Sequence, residues 1–383
     1  GIPTRHRTAD WTAPQFVEPV YEVNENHSNT LLSLLAMPTI RSKEDIIRRY
    51  DHEVQTGTAV KPLVGTQHTG PGDATVIVPM DTISDTDTMR GVSLSNGVCP
   101  TYTELDPYAM AWAAIDEAMR NLVAVGTDPD QVSILDNFSW GNTQLPDRMG
   151  SLVRCTQGCY DAAIAYGVPF ISGKDSLNNE YLGEDGQRHS IPGTLVISGM
   201  GIVPDVGKTV TMDAKQAGNA LYLIGETHDE LGGSHYHLLN GYQGGAVPQP
   251  NPDALNTLRT LYTAIQDGLI VSCHDLSEGG LAIALAEMCY AGKLGTTVTL
   301  PPELDEVTAL YSESSTRFIV EVAPQNRQAF ESAFPTARFL GDLDESENLV
   351  CLHSDKQLIG VTLADIETAF RGHLHDVDFD LEI

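Results

Sequence analysis

A strand pattern at Val168–Ile171 leads directly into Gly173-Lys-Asp-Ser, and this junction constrains the local structure most. The run is apolar and partly β-branched, which predicts a buried strand. Gly173 lets the backbone approach a ligand closely, and Lys174 is a mobile cation suited to phosphate. Asp175 can hold a metal ion, and Ser176 can hydrogen-bond a phosphate or a substrate. Together these residues indicate a nucleotide site at the end of a strand.

The motif differs from a P-loop. Five residues separate Gly167 from Gly173, one more than in that loop, and Asp175 stands where Ser or Thr would bind magnesium. The intervening residues form a strand pattern, which does not suit a flexible phosphate cradle. A solvated tight turn is the commoner meaning of an isolated Gly-Lys-Asp-Ser. The nucleotide site is favoured only because other motifs elsewhere in the chain support it.

Composition bounds the class of protein. At 383 residues the chain exceeds one ordinary core, so two domains are expected. It has 52 acidic residues against 22 basic ones, and this net charge of −30 argues against nucleic-acid binding. The sequence contains no apolar run that could span a membrane and no signal-peptide pattern. Six cysteines are too few for a disulfide framework. We therefore expect a cytoplasmic protein.

Two mixed α and β units follow a less regular start. Residues 1–40 are predicted to be a linker on the surface, 41–205 a first domain and 206–383 a second domain. Predicted helices cover residues 42–53, 107–125, 147–166, 253–266, 279–291 and 325–333. Predicted strands cover residues 75–80, 132–135, 168–172, 194–199, 220–224, 317–322 and 337–340.

Several acidic and amide side chains suit a magnesium ion. Glu117 and Asn121 are four residues apart on the 107–125 helix, so they share a face and can place two oxygens on one ion. Asp73 follows a Gly-Pro-Gly loop and can add a third. Asp275 and Ser277 precede a helix, where either can cap the helix or bind an anion or metal. A surface pair, a loop acid and simple capping are the structural alternatives.

Asp136 ends the strand at 132–135, where ligands of α/β folds collect. A strand-terminating turn is the alternative for this aspartate. His274 could act as a base, but a lone histidine beside Cys273 is interpreted as structural.

Five ordered segments, taken together, resemble phosphoribosylformylglycinamidine synthase. They are Asp106–Tyr108, Asp116–Gly126, Leu135–Asn142, Phe170–Glu180 and His274–Leu281, and Tyr50–Gly65 is similar too. The resemblance extends from about residue 30 to about residue 370. It concerns the second half of the synthetase region of that family.

The resemblance implies an α+β fold. Its N-domain is similar to aminoimidazole ribonucleotide synthetase and carries a sheet that forms half of a dimeric or pseudo-dimeric barrel. An α/β C-domain follows. The implied enzyme is a carbon–nitrogen ligase of purine biosynthesis. It uses ATP, Mg²⁺ and glutamine-derived ammonia to convert formylglycinamide ribonucleotide into formylglycinamidine ribonucleotide. The implied partners are the first half of the synthetase and a glutaminase, or a second copy of this module.

The resemblance also assigns roles to individual residues. Contacts to ATP or substrate at the reacting site are implied for Asp136, Gly173, Lys174, Asp175 and Ser176. At an auxiliary site, which holds a structural nucleotide in some members, the resemblance implies magnesium contacts for Asp73, Glu117, Asn121 and Asp275 and a nucleotide contact for Ser277. Related enzymes often have Asn where Lys174 stands. Because a protonated lysine has no lone pair for a metal, a phosphate contact is expected for Lys174.

One departure from the family concerns catalysis. The first half of the family carries a catalytic histidine just before its corresponding helix, and the matching segment here, Ser95–Pro100, has none. We therefore expect no catalytic residue of that kind in this chain and a general base elsewhere in the enzyme. Two other interpretations remain: a non-catalytic nucleotide-binding scaffold, and another ATP-using relative such as aminoimidazole ribonucleotide synthetase or selenophosphate synthetase.

Overall fold

The computed structural model describes residues 6–17, 19–21, 24–80 and 89–372. Within these ranges the α-helices are α1 (Ser28–Leu35), α2 (Glu44–Ile47), α3 (Pro107–Ala124), α4 (Pro146–Tyr166), α5 (His235–Asn240), α6 (Ala254–Gln266), α7 (Gly280–Gly292), α8 (Glu306–Tyr311), α9 (Arg327–Ala333) and α10 (Leu363–Arg371). The strands are β1 (Thr58–Val60), β2 (Leu63–Val64), β3 (Gly70–Pro71), β4 (Thr75–Ile77), β5 (Gly91–Gly97), β6 (Val132–Ser139), β7 (Phe170–Ser176), β8 (Glu180–Leu182), β9 (Arg188–Ser190), β10 (Thr194–Val203), β11 (Ala220–Ile224), β12 (Ser272–Asp275), β13 (Gly295–Thr299), β14 (Phe318–Val322), β15 (Arg338–Asp344), β16 (Asn348–His353) and β17 (Lys356–Thr362).

Six strands form the first sheet, in the order β1-β4-β5-β10-β6-β7. The pairs are antiparallel except β6 with β7, which α4 connects as a parallel βαβ unit. The second sheet has the order β12-β14-β11-β15-β13-β16-β17, and β13 with β16 is its parallel pair. Mostly antiparallel sheets with packed helices make this an α+β fold.

Helix α3 lies at the centre of the molecule. It begins where expected, because the Asp106 side chain accepts hydrogen bonds from the N–H groups of Tyr108 and Ala109, and Pro107 occupies the first turn. It packs on β5 and β10 of the first sheet, on α4, and on β12 of the second sheet. Almost all its side chains are therefore buried, which agrees with its apolar sequence.

The prediction of a surface linker over residues 1–40 is wrong for part of that segment. Leu31, Leu34 and Leu35 of α1 are fully buried, and α1 packs against α7 and α10. These leucines add a helix to the core of the C-terminal unit. Residues 373–383 of the predicted second domain lie outside the described residues.

Other local predictions differ in extent. The helix expected at 42–53 covers only Glu44–Ile47, and the strand expected at 75–80 ends at Ile77. Strand β7 continues through Ser176, so Gly173-Lys-Asp-Ser lies within a strand and not in a turn. Strand β5 was not predicted. None of the helices in the described ranges is both long and apolar enough to cross a membrane.

Candidate nucleotide and metal site

A cleft of about 420 Å³ lies between the first sheet with α3 and the start of α7. Five residues predicted to bind metal or nucleotide line it: Asp73, Glu117, Asn121, Asp275 and Ser277. They come from three separate parts of the chain, namely the β3–β4 loop, α3 and the β12–α7 junction. The fold thus brings together side chains that the sequence separates by as many as two hundred residues.

Glu117 and Asn121 are one turn apart on α3, as predicted, and both reach the cleft. Glu117 Oε2 accepts a hydrogen bond from the Val98 N–H at 2.8 Å, and Asn121 Nδ2 donates to the Asn96 carbonyl at 3.2 Å. Burial raises the pKa of Glu117 well above its ordinary value, and the nearby Glu278 carboxylate adds to the effect. A cation in the cleft would offset this cost.

Asp73 and Asp275 form the second group of oxygens. Asp73 Oδ1 accepts from the Asp275 N–H at 3.1 Å and contacts His274 Nδ1 at 2.7 Å. Asp73 Oδ2 is buried and has no hydrogen-bond partner in the described structure. A buried carboxylate oxygen without a partner is costly, and a bound cation is one way to satisfy it.

Both ring nitrogens of His274 contact carboxylates. Its ligand atoms lie within 4.8 Å of those of Asp73 and Asp275, so geometry alone would allow a three-residue metal site. However, Nε2 also contacts Glu287 Oε2 at 3.0 Å. Burial opposes its charge, but Asp73 and Glu287 outweigh burial and raise the pKa of His274 well above its usual value.

Asp275 and Ser277 do not cap α7. The residue before that helix is Gly279, in the left-handed region with φ of 77°, and no side chain caps the helix. Instead Arg120 donates from Nε to Asp275 Oδ2 at 3.2 Å and from Nη2 to Ser277 Oγ at 2.8 Å. It is also paired with Asp116 one turn earlier on α3. Sequence reasoning missed Arg120, although its Asp-x-x-x-Arg spacing was a readable signal.

Two cations at the cleft were also missed. Arg41 and Lys43 line it from the segment before α2, and neither forms an ion pair among the residues that the structure describes. Lys43 Nζ donates to the Thr39 carbonyl at 3.0 Å, and Arg41 donates to the Gly372 carbonyl. Glu278 and Glu287 of the same cleft act on Lys43 electrostatically but form no direct ion pair with it. Both cations are therefore suited to a bound anion.

The other predicted residues form a separate group at the edge of the first sheet. Asp136 on β6 pairs in register with Gly173 on β7. A Cβ at Gly173 would lie 2.6 Å from Asp136 Oδ1, so the glycine makes room for that carboxylate. Lys174 Nζ donates to Ser176 Oγ at 2.5 Å, and Lys174 and Asp175 are exposed. The fold brings these five residues together, but not into the cleft described above.

A buried pair beyond the cleft predicts a pH dependence of stability. Glu313 accepts from the His235 N–H at 2.8 Å, from its Nδ1 at 3.1 Å, and from Tyr102 at 2.5 Å. Burial alone would lower the pKa of His235, but Glu313 raises it; burial alone would raise the pKa of Glu313, but His235 lowers it. Each partner therefore favours the charged form of the other.

Each partner sets one limit of the pH range in which the pair stabilises the folded protein. A raised histidine pKa adds stability that is complete below the ordinary value of 6.5 and is lost as the pH rises through the folded pKa. A lowered glutamate pKa adds stability above 4.5 that is lost as the pH falls. We expect the denaturation midpoints of the wild type and His235→Asn to differ most between pH 4.5 and 6.5. A difference that stays constant up to pH 9 would contradict the charged pair.

The comparisons with known proteins agree with this fold. The AIR synthase related protein N-terminal domain family matches residues 71–203, and the corresponding C-terminal domain family matches residues 216–350. The chain belongs to the AIR synthase related family. It is similar to the phosphoribosylformylglycinamidine synthase subunit PurL of Thermosynechococcus vestitus, with 33% identity over 386 residues, 95% of this chain and 48% of that protein.

Solved members of the family share the fold. Structures of T. maritima PurL complexed with FGAR and with ATP each have a TM-score of 0.66 and 16% identity; they cover 90% of this chain and 53% and 52% of those chains. The chain thus spans about half the length of these relatives. The predicted resemblance and the predicted α+β fold are confirmed. The domain boundaries and the roles of the site residues stay predictions.

Proposed function

We propose that this chain is an ATP-binding module of phosphoribosylformylglycinamidine synthase, a carbon–nitrogen ligase of purine biosynthesis. The observation that carries the proposal is the cleft in which Asp73, Glu117, Asn121 and Asp275 face Arg41 and Lys43. Oxygen ligands suit Mg²⁺, and cations that form no direct ion pair suit phosphates. PurL relatives bind FGAR and ATP, which supports formylglycinamide ribonucleotide as the substrate of the whole enzyme. A cytoplasmic location stays a prediction.

The residues present fit a magnesium ion. Asp73 Oδ2 is buried without a partner among the described residues, and Asp275 Oδ1 is free of the hydrogen bond that Arg120 makes to Oδ2. Burial and Glu278 raise the pKa of Glu117, and a cation beside it would favour its charged form. With its ion, ATP supplies the activated phosphoryl group of the amide-to-amidine conversion. The protein's part is to position the phosphates and to neutralise their charge.

The exposed face of the first sheet supports a partner. Leu94 on β5 lies directly beside Met200 on β10, both 43% exposed, and Ile77 on β4 pairs with Val92 of the same face. Large apolar residues on an open sheet face mark an interaction surface. We infer that the first half of the synthetase covers it, which also places Gly173-Lys-Asp-Ser near that half. A glutaminase would deliver the ammonia.

A second candidate function is a nucleotide-binding scaffold without turnover. The absence of a histidine between Ser95 and Pro100 favours it for the isolated module. A second copy of this chain would then cover the open sheet face. Both candidates require the cleft to bind ATP with Mg²⁺.

Lys43→Met is expected to weaken ATP binding in the presence of Mg²⁺ about tenfold. A charge-assisted hydrogen bond contributes about 1.5–3 kcal/mol, and 1.4 kcal/mol is tenfold in Kd. Isothermal titration calorimetry on the full chain measures the change. Lys208→Met is the matched control, because its Nζ also donates to a backbone carbonyl, that of Gln266, but outside the cleft. Failure of the wild type to bind ATP would overturn the proposed function.

A further inference from the structure

A second cleft, of about 510 Å³, shares no lining residue with the first. It lies between the segment Trp11–Pro14, the first turns of α4 and the β8–β9 ribbon. Its volume falls in the range of small-molecule sites, about 300–1,000 Å³. Neither the proposed function nor the matched family regions account for the N-terminal segment that forms one wall.

That wall is held in place by specific contacts. The Asp10 N–H donates to the Pro146 carbonyl at 2.9 Å. Arg154 lies over the Trp11 ring at 4.3 Å and is itself held by two hydrogen bonds of 2.8 Å to Asp106. The N-terminal segment therefore packs on α4 in a defined position and forms a fixed wall of the cleft.

The opposite wall offers an aromatic surface. Tyr181 stacks on His189 with ring centroids 5.4 Å apart and planes 26° apart. His189 is fixed by Asp185, which contacts its Nε2 at 3.0 Å through both carboxylate oxygens. Tyr181 remains 52% exposed. An oriented ring of this kind suits stacking by a planar ligand.

Two arginines supply positive charge. Arg188 has no side-chain hydrogen bond or ion pair with any residue in the described ranges, although acids outnumber bases by more than two to one. Arg148 is paired with Asp147 through Nη1, and its buried Nε faces Glu180 Oε1 at 3.5 Å. Arg188 is therefore the arginine of this cleft that has no acidic partner among the described residues.

We propose that this second cleft binds a mononucleotide, with its base against Tyr181 and its phosphate on the guanidinium of Arg188. Glu104 and Asp147 also line the cleft, and Glu180 pairs with Arg148. These three carboxylates outnumber the two arginines, so the site suits one phosphate better than the larger negative charge of a triphosphate. The inference does not depend on the function proposed for the first cleft.

Two of the chain's three tryptophans, Trp11 and Trp140, line this cleft, so intrinsic fluorescence reports on it. The full chain is titrated with AMP, with and without saturating ATP and Mg²⁺. We expect a saturable change in both series and a Kd about tenfold weaker for Arg188→Gln, the usual scale for a lost charged hydrogen bond. Arg49→Gln removes an exposed arginine outside both clefts and is expected to bind like the wild type.

Two further titrations separate the parts of the ligand. Inorganic phosphate and adenosine are each expected to bind more weakly than AMP. The proposal is overturned if AMP gives no saturable change below about 1 mM, if Arg188→Gln and Arg49→Gln bind alike, or if phosphate alone binds as tightly as AMP. The AMP titration without ATP does not depend on the first cleft. It therefore tests the second cleft even if the first cleft does not bind ATP.

Discussion

Arg120→Met is expected to lower the free energy of unfolding by about 3–5 kcal/mol, the scale of breaking a buried ion pair by removing one partner. Arg120 is buried and lies between Asp116 on its own helix and Asp275 of the second sheet. Burial opposes its charge, but these carboxylates raise its pKa further. Without the guanidinium, Asp116 would stay buried without an ion-pair partner among the described residues, and Asp275 would keep only His274, 3.9 Å away. The contact between α3 and β12 would weaken. Urea unfolding followed by circular dichroism measures the loss.

The matched control is Arg259→Met. Arg259 donates to Asp130 at 2.6 Å, but both side chains are about half exposed. A surface pair of this kind contributes about 0–1 kcal/mol, so this variant is expected to unfold close to the wild type. Equal losses in the two variants would show that Arg120 does not have the central role given to it here.

Asp73→Asn and Glu117→Gln are each expected to weaken Mg²⁺-dependent ATP binding about 100-fold. Changes even to groups that only support metal ligands cost about 10–100-fold in affinity, and these two carboxylates would hold the ion directly. Each substitution removes one charge at nearly constant volume. Calorimetric titration of the chain with ATP, with Mg²⁺ and with EDTA, measures the effect. The wild type with EDTA is expected to resemble the variants.

Asp267→Asn is the control for these two variants, because it removes an exposed carboxylate at the end of α6, outside the cleft. It is expected to bind ATP like the wild type. If Mg²⁺ strengthened ATP binding equally in the wild type and in Asp73→Asn, Asp73 would not be a metal ligand. Thermal unfolding of each variant without nucleotide shows whether the fold is kept.

The sequence predicted helix α3 well because local signals agree there. Asp106 and Pro107 mark its start, and apolar residues fill its length. Strand β5 escaped prediction because its pattern is inverted: Ser93 and Ser95 face the core while Leu94 faces outward. Ser95 Oγ donates to the Ala118 carbonyl at 2.8 Å, which satisfies the buried hydroxyl. Small polar residues are required there because α3 packs so closely against the strand.

The open face of the first sheet shows the other side of this pattern. Its apolar residues, such as Leu94 and Met200, are exposed in this chain. A rule that places apolar residues in the chain's own core therefore assigns the wrong face of the strand to the core. Only the assembled sheet shows that the apolar side is the uncovered one.

By itself, the sequence determined the chemistry available: the acids, amides and Gly-Lys-Asp-Ser run, their order, and their resemblance to a synthetase family. The tertiary structure decided which of them meet. Asp73 contacts His274, 201 positions away. Arg120 on α3 reaches Asp275 on β12, and Arg41 and Lys43 line the same cleft. No local pattern encodes these contacts, because packing between distant segments, and not spacing along the chain, sets the distances.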